Sequence, residues 1–247
     1  MDDFSTRLNQ TRQQMYDRLA TCEAGQLRPA AIERGLDLLI KLGYPEKLLQ
    51  ALPPESLERT FPLANPLTKI AELNPETIID LGCGTALDLF CCAKLLPQLK
   101  SLTGVDASQG LLDTGRKRLE KFSSSSARTT LLAADINQLE SLNLGYFDLI
   151  LMNGSFNLIY DKAYFLQQAS RTLTGKGRIL IYDFLLVGDL PPGFSEEIDN
   201  WLWNIGGALD MNRLTEITDH AGLQLISVKE LECIDPVARC EILLTNN

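Results

Sequence analysis

The sequence predicts an α/β fold: a doubly wound, seven-stranded sheet, mostly parallel, with an antiparallel edge and an N-terminal helical cover. Apolar, strand-like segments alternate with helical patterns from about residue 77 to residue 182, which is typical of parallel sheets. The first of these strands ends in two glycines one residue apart. Two strand-like runs close the chain with no helix between them, which indicates an antiparallel pair at one edge.

The composition indicates a globular protein with a substantial core. The chain has 247 residues, of which 45% are hydrophobic, and this length fits one large α/β domain. Its net charge of −9 argues against non-specific binding to nucleic acid or to anionic lipid. No apolar run approaches the roughly 20 residues that a membrane span needs, and the first residues lack the pattern of a signal peptide. We therefore expect a cytoplasmic protein without a nucleic-acid partner, and its oligomeric state stays open.

The cysteines are expected to be small buried side chains in a reducing compartment. No CxxC pair occurs, and a single histidine argues against a zinc site, so we predict no metal. The six cysteines are Cys22, Cys83, Cys91, Cys92, Cys233 and Cys240.

The N-terminal region is predicted to be helical. Helices are expected over residues 4–19 and 29–42, and the sequence Gly-Tyr-Pro at 43–45 ends the second one. Prolines between residues 53 and 66 then predict an extended connection with one short helix.

The alternating region is predicted to contain five strands. They are expected over residues 77–81, 99–105, 129–133, 147–152 and 178–182, with helices over 86–96, 108–122 and 161–173. Asp161 is a suitable N-cap for the third of these helices. The serines at 123–126 predict a loop, and the sequence Gly-Lys-Gly at 175–177 predicts a turn before the fifth strand.

The pattern changes after Asp183. A helical stretch contains Trp201 and Trp203, and Asn212 is predicted to cap a helix that ends at 221–222. The last two strands are expected over 223–229 and 239–244, paired antiparallel.

The segment 78–86, IIDLGCGTA, is the most informative part of the chain. It predicts a buried strand that ends in a turn where the backbone approaches a ligand without a Cβ in the way. Leu87 stands where a dinucleotide fingerprint needs its third glycine, and no GKS or GKT follows. These departures leave a ligand that carries a nucleoside but no pyrophosphate.

The later strands bring further polar residues to the same edge of the sheet. Asp106, Asp135 and Asn153 each stand at or just after the end of a predicted strand. A carboxylate at position 106 suits a pair of hydroxyl donors, because it has two oxygens that only accept hydrogen bonds. Helix capping and turn formation are the simpler roles for both aspartates.

In this order and spacing, the motifs resemble the class I S-adenosylmethionine-dependent methyltransferases, which have a Rossmann-like fold. The resemblance covers about residues 70–245, including a turn at 173–178 before the fifth strand. It implies that Gly82, Cys83 and Gly84 would lie against the methionine moiety of S-adenosylmethionine. The other implied contacts are Asp80 at the ammonium group, Asp106 at the ribose, Asp135 at the adenine amine, Ala107 and Ile136 as apolar walls, and Asn153 beside the methyl group. By the same resemblance, residues 66–247 would form the methyltransferase domain and residues 1–65 the helical cover.

Two segments narrow the branch of the family. The sequences MNGSFNL at 152–158 and NIGGAL at 204–209 are similar to segments of arsenite methyltransferases. Gly154 and Asn204 stand where that branch carries its arsenic-binding thiols. Because thiolates are the soft ligands that such a substrate requires, arsenite methylation by that route is not expected. Related small-molecule methyltransferases act on quinones and sterols.

The leading hypothesis is therefore in-line methyl transfer to a small-molecule acceptor. No catalytic residue is assigned; Tyr160, Asp183 and Glu197 are candidates for a base by position only, and His220 is interpreted as a surface or capping residue. The aromatic residues Phe194, Trp201 and Trp203 are predicted either to roof an apolar pocket or simply to pack the cover. The alternatives are a cofactor-binding, non-catalytic partner or regulatory protein on the same fold, and an aminopropyl transferase.

Overall fold

The computed structural model describes residues 3–21, 35–121 and 127–247. Its seven strands form one sheet in the order β3-β2-β1-β4-β5-β7-β6. The pairs β1-β2, β2-β3 and β4-β5 are parallel, and the pairs β5-β7 and β7-β6 are antiparallel. The predicted fold class is therefore confirmed. None of the helices in the described ranges is long and apolar enough to cross a membrane. Cys22, residues 29–34 of the predicted second helix and the serine loop at 123–126 lie outside the described residues.

The bounds of the elements are as follows. The helices are α1 Asp3–Thr21, α2 Gly35–Lys41, α3 Glu46–Leu49, α4 Pro54–Leu57, α5 Leu67–Leu73, α6 Leu87–Leu95, α7 Gln109–Glu120, α8 Lys162–Arg171, α9 Ile198–Leu202 and α10 Met211–His220. The strands are β1 Thr77–Leu81, β2 Ser101–Asp106, β3 Arg128–Ala133, β4 Phe147–Asn153, β5 Leu173–Leu186, β6 Leu223–Ile234 and β7 Val237–Asn246.

The chain divides into two compact units. The first unit is Arg12–Ala134, and the second unit comprises Asp135–Asn247 together with the residues up to Thr11. The boundary predicted at residue 65 stays a prediction.

In the first unit, β1 is the buried strand that its sequence predicts. Ile78, Ile79 and Leu81 have no exposed surface, and β1 pairs in parallel with β2, which pairs in parallel with β3. A parallel strand covered on both faces reads as a continuous apolar run. The register sets Asp80 beside Gly104, so the two strands carry their polar residues toward the same edge.

Helix α7 lies against the turn that follows β1. A Cβ on Gly115 would stand 3.1 Å from the Cβ of Ala86 and 3.1 Å from the carbonyl oxygen of Thr85. This is closer than side chains normally approach, so the helix and the turn meet at a position where only a hydrogen fits comfortably.

In the second unit, β4 pairs in parallel with β5, and β7 pairs antiparallel with both β5 and β6. The turn predicted at 175–177 is wrong, because these residues belong to the 14-residue strand β5. A register shift between Phe147 and Leu149 accommodates them, and Gly177 passes so close to the carbonyl oxygen of Phe147 that a Cβ there would stand at 2.8 Å. Bulges and close backbone contacts in strands attract glycine, and in sequence they look like turns.

Two other local predictions have different outcomes. Asp161 caps α8 as predicted, and its side chain accepts a hydrogen bond from the Tyr164 N–H. Asn212 does not cap α10; Asp210 does, and its carboxylate accepts from the Arg213 N–H at 2.8 Å. Cys233 is exposed, contrary to the expectation for the cysteines, whereas Cys83, Cys91, Cys92 and Cys240 are buried.

Candidate functional site

The turn after β1 has an unusual backbone. Gly82 and Gly84 have φ values of 81° and 52°, and Ala86 follows with a φ of 55°. The N–H groups of Gly82 and Cys83 both donate to the carbonyl oxygen of Val105, which ties the turn to β2. A Cβ built on Gly84 would meet no atom within 4 Å. The turn therefore has open space above it, which is the cradle that close approach of a ligand requires.

Asp106 points at this turn. Its carboxylate accepts a hydrogen bond from the Gly84 N–H at 2.9 Å and another from the Ser108 N–H at 2.8 Å. Burial raises the pKa of Asp106, and these two N–H groups lower it. A carboxylate offers about four lone-pair positions, so the group can hold the turn and still accept two further hydrogen bonds.

Three carboxylates lie within electrostatic reach of one another beside the turn. Asp80 is only 3% exposed, and its pKa is raised well above its usual value by burial and by the charges of Asp88 and Asp106. The Tyr44 hydroxyl donates to Asp88 at 2.6 Å. Buried like charges disfavour ionisation, so a cation that binds among them would remove this electrostatic penalty. The three carboxylates therefore suit a positively charged ligand.

Helix α1 contributes two charges that the sequence analysis missed. The charge of Arg12 lowers the pKa of Asp106, and that of Asp17 raises it. Arg12 is buried. The helix itself was predicted, but nothing in its sequence connects it with the distant strand end that carries Asp106.

In the second unit, Asp135 acts as a cap. Its Oδ1 atom accepts hydrogen bonds from the backbone N–H of Asn137 at 3.1 Å and from the side-chain amide of Asn137 at 2.7 Å. It thereby begins a 3₁₀ helix over Ile136–Leu142. Ile136 is buried, and Asp135 is half-buried. The contacts with adenine that the resemblance implies for these residues stay predictions.

The end of β4 leads into a network of asparagines. Asn153 is half-buried at the strand end, and Gly154 follows with a φ of 80°. The side-chain amide of Asn204 donates to the carbonyl oxygen of Gly154 at 2.8 Å, and that of Asn157 donates to the carbonyl oxygen of Asn204 at 2.9 Å. The two positions that carry thiols in the arsenite branch are therefore in direct contact here. The Oδ1 atom of Asn204 is buried and has no hydrogen-bond partner among the described residues.

An aromatic cluster lies in the same unit. The ring centroids of Phe4, Tyr160 and Trp201 are 5.6–6.0 Å apart. The ammonium group of Lys162 lies 5.0 Å from the centroid of the Trp201 ring and donates to the carbonyl oxygen of Ile159 at 2.7 Å. Tyr160, Lys162 and Trp201 line a cavity of about 300 Å³. Trp203 is exposed and Phe194 half-buried, so of the three predicted aromatic residues only Trp201 is part of this cluster.

Asp183 and Lys162 are both buried, and the charge of each favours the ionised form of the other. Burial raises the pKa of Asp183 to about 7 and lowers the pKa of Lys162 to about 7. Asp183 accepts from the backbone N–H groups of Asn157 and Phe184. Its hydrogen bonds hold the segment after β4 in place. Of the other base candidates, Tyr160 is 41% exposed and Glu197 is exposed at the start of α9, while His220 lies in the last turn of α10.

Within the described ranges, no three His, Cys, Asp or Glu side chains are grouped so that they could hold a metal ion. The first unit thus brings together Asp80, the glycine turn and Asp106 with Ala107 directly after it, and the second unit holds Asp135, Ile136 and Asn153 at strand ends.

Comparison with known proteins agrees with this architecture. A family model described as "Methyltransferase domain" matches residues 74–222. Human arsenite methyltransferase is 26% identical over 151 residues, which is 59% of this chain and 40% of that protein. Demethylmenaquinone methyltransferase from Thermotoga maritima is 27% identical over 146 residues, 56% of this chain and 58% of that protein. The chain thus spans about two fifths to three fifths of the length of these relatives.

A solved structure has a similar fold. CrArsM, an arsenic(III) S-adenosylmethionine methyltransferase from Chlamydomonas reinhardtii, superposes with a TM-score of 0.62 at 22% identity, covering 80% of this chain and 71% of that one. The family model covers more than half of the chain, and the motifs that it spans are those described above. The chain therefore belongs to the S-adenosylmethionine-dependent methyltransferases.

Proposed function

We propose that this chain binds S-adenosylmethionine and transfers its methyl group to a small-molecule acceptor by in-line displacement. The observation that carries the proposal is the hydrogen bond from the Gly84 N–H to Asp106, which brings the acidic end of β2 to the open glycine turn. The hydrogen bond joins a turn residue to the end of a neighbouring strand. The arrangement matches the chemistry of a ligand with vicinal hydroxyls and a positive charge.

The predicted cofactor residues keep the roles that the resemblance gives them. In the first unit they are Asp80, Gly82, Cys83, Gly84, Asp106 and Ala107, and in the second unit they are Asp135, Ile136 and Asn153. Asp106 would accept the ribose hydroxyls with the lone pairs that Gly84 and Ser108 leave. Asp80 would bind the ammonium group, and its raised pKa supports this role because a bound cation favours the ionised carboxylate.

The bound sulfonium supplies a methyl group that is already activated for displacement. The protein's part is to align the acceptor and to exclude water. Most residues of α6, which follows the turn, are buried, and this burial keeps water away from that side of the turn. No residue is assigned as a base, because Asp183 is engaged by backbone N–H groups and the other candidates are exposed.

For the acceptor, we propose an apolar, ring-containing small molecule that carries a hydrogen-bond donor. The cavity of about 300 Å³ beside Tyr160 and Trp201 offers aromatic surface, and the Asp161 carboxylate in its lining offers an acceptor for a hydroxyl. The contact between Asn204 and Gly154 replaces the thiol pair of the arsenite branch with neutral groups. Arsenite is therefore not the proposed acceptor, although arsenite methyltransferases are among the relatives.

Isothermal titration with S-adenosylmethionine, NAD and ATP tests the cofactor proposal. We expect binding of the first ligand only. Asp106→Ala should weaken that binding by roughly tenfold to a hundredfold, because a charge-assisted hydrogen bond contributes about 1.5–3 kcal/mol. Asp113→Ala, which removes an exposed carboxylate from α7, is the matched control and should bind normally. A wild-type protein that binds NAD or ATP but not S-adenosylmethionine would overturn the proposal.

Mass analysis of products from a pool of hydroxylated aromatic compounds then tests the reaction. A gain of one methyl group supports methyl transfer, and a gain of an aminopropyl group would indicate the alternative chemistry. Binding without any product across the pool would favour the non-catalytic alternative. The predicted cytoplasmic location is tested separately by fractionation.

A further inference from the structure

A second cavity in the first unit has a different character from the glycine turn. It has a volume of about 660 Å³ and lies between the segment 52–59 and one face of α7. Four cations line it: Arg59, Lys117, Arg118 and Lys121. Two acidic residues, Glu55 and Glu120, also line it, so the basic side chains outnumber the acidic ones in a chain whose net charge is −9.

The cations of α7 form a stripe. The cations are Lys117, Arg118 and Lys121. They are spaced three and four residues from one another or from Thr114, so all four residues share one face of the helix. Like charges at this spacing destabilise a helix. The helix dipole favours cations in the last turn, but it does not account for Arg59, which comes from a separate segment.

The burial of Arg118 is a second observation, besides the basic lining of the cavity, that points to a ligand. It is 3% exposed, and none of the described carboxylates forms a salt bridge or hydrogen bond with it. Its guanidinium donates only to neutral atoms: the carbonyl oxygen of Thr85 at 2.8 Å, the Thr85 hydroxyl at 3.1 Å and the carbonyl oxygen of Ser56 at 3.0 Å. Its Nε atom has no hydrogen-bond partner in the part of the chain that the structure describes. Burial lowers the pKa of Arg118 to about 10, although the charge of Asp88 raises it. A buried charge that is not directly paired with a counter-charge is costly.

We propose that this cavity is a binding site for a phosphorylated small molecule, and that its occupancy is communicated to the cofactor turn through Arg118. Lys117 and Lys121 are exposed, and a lysine ammonium group binds phosphate oxygens as a point charge. The volume suits a metabolite of ordinary size. Arg118 supplies the long-range positive charge, and its hydrogen bonds to Thr85 connect the cavity with the turn that contains Gly82 and Gly84.

The test uses inorganic pyrophosphate as the probe and isothermal titration of the whole chain at low salt. We expect binding that weakens as salt is raised, because the contacts are exposed charges. The double variant Lys117→Glu and Lys121→Glu should bind pyrophosphate at least tenfold more weakly. Both side chains are exposed, so the fold should be retained, which circular dichroism checks. The matched control is Lys176→Glu with Lys229→Glu, which changes the net charge equally at exposed positions of the second unit and should bind as the wild type does.

Communication with the turn is tested by titrating S-adenosylmethionine with and without saturating pyrophosphate. We expect its affinity to change at least threefold, and reciprocity requires the same factor for pyrophosphate when the cofactor is present. Pyrophosphate binding that is absent, or equal in the double variant and the control, would overturn the site. Equal cofactor affinity under both conditions would overturn the communication. Direct pyrophosphate binding is measurable even if the chain does not bind S-adenosylmethionine, so the two proposals fail separately.

Discussion

Asp80 is held where an ionised carboxylate is unfavourable. It is buried at the end of β1, and the charges of Asp88 and Asp106 add to the cost of ionisation. A residue chosen only for packing would be apolar at this place. The carboxylate is consistent with a site that becomes favourable when a cation binds.

We predict that Asp80→Asn stabilises the ligand-free protein near neutral pH. The pKa of Asp80 is raised in the folded state, so the folded protein binds more protons than the unfolded chain, and stability falls as pH rises above 3.8. Asparagine does not titrate, so the Asp80→Asn variant lacks this fall in folding stability with rising pH. Urea unfolding of wild type and variant at pH 5 and pH 8 measures it, and the difference between the two proteins should be larger at pH 8.

The same variant should bind S-adenosylmethionine more weakly, by roughly tenfold or more, since it loses a charge-assisted contact. Asp148→Asn is a control, because this carboxylate lies in the second unit and accepts from Thr174. A variant with unchanged cofactor affinity would show that Asp80 has a purely structural role.

Much of the candidate site could be predicted at the residue level because its signals are local. Gly82, Gly84 and Asp106 follow strands at short distances, and parallel strands deliver their ends to one edge. Arg12 could not be predicted, because its place near Asp106 depends on how a helix packs. The burial of the Arg118 guanidinium could not be predicted either, since burial of a charged residue on an amphipathic helix is a property of the folded protein.

Helix α7 is the element on which the geometry of the turn depends. Gly115 brings its backbone against Ala86 and Thr85, and Arg118 of the same helix donates to Thr85. The helix and the turn are thus joined both by packing and by hydrogen bonds.

We predict that Gly115→Val separates the helix from the turn. Its Cβ would stand 3.1 Å from two neighbouring atoms, and valine adds two methyl groups to that crowded Cβ. Overpacking of this kind costs about 1–3 kcal/mol, and the affinity for S-adenosylmethionine should fall with it. Thermal unfolding and titration measure the two effects. Gln109→Val, which introduces the same side chain at an exposed position in the first turn of α7, should change neither by a comparable amount.

At the level of elements, periodicity predicted most bounds to within a few residues, and the failures have physical causes. The strand β5 includes Gly175 and Gly177 because a register shift absorbs them, and a single sequence does not distinguish a bulge from a turn. The cap of α10 was assigned to Asn212 instead of Asp210 because both side chains favour caps and both precede the apolar stripe.

For the whole molecule, cofactor binding should raise the temperature of unfolding. A ligand at a hundred times its dissociation constant adds about 2.7 kcal/mol of stability, which corresponds to roughly 5–10 °C for a chain of this size. Thermal denaturation with saturating S-adenosylmethionine measures the shift, and NAD at the same concentration should produce none.

The sequence predicted which strands of the sheet are parallel and which are antiparallel, because a parallel pair needs a crossover connection and an antiparallel pair does not.

The contact between Gly154 and Asn204 has a consequence for how this chain can change. Both residues have left-handed backbones, with φ values of 80° and 62°. A cysteine at position 154 would carry its Cβ into that conformation at a cost of about 1–2 kcal/mol, and at position 204 it would replace an asparagine and remove the amide that joins the two segments. Two substitutions would be needed to give this protein a thiol pair that binds arsenic, and neither one provides the pair without the other. A thiol pair at these positions is thus disfavoured by the backbone conformation at position 154 and by the loss of a hydrogen bond at position 204.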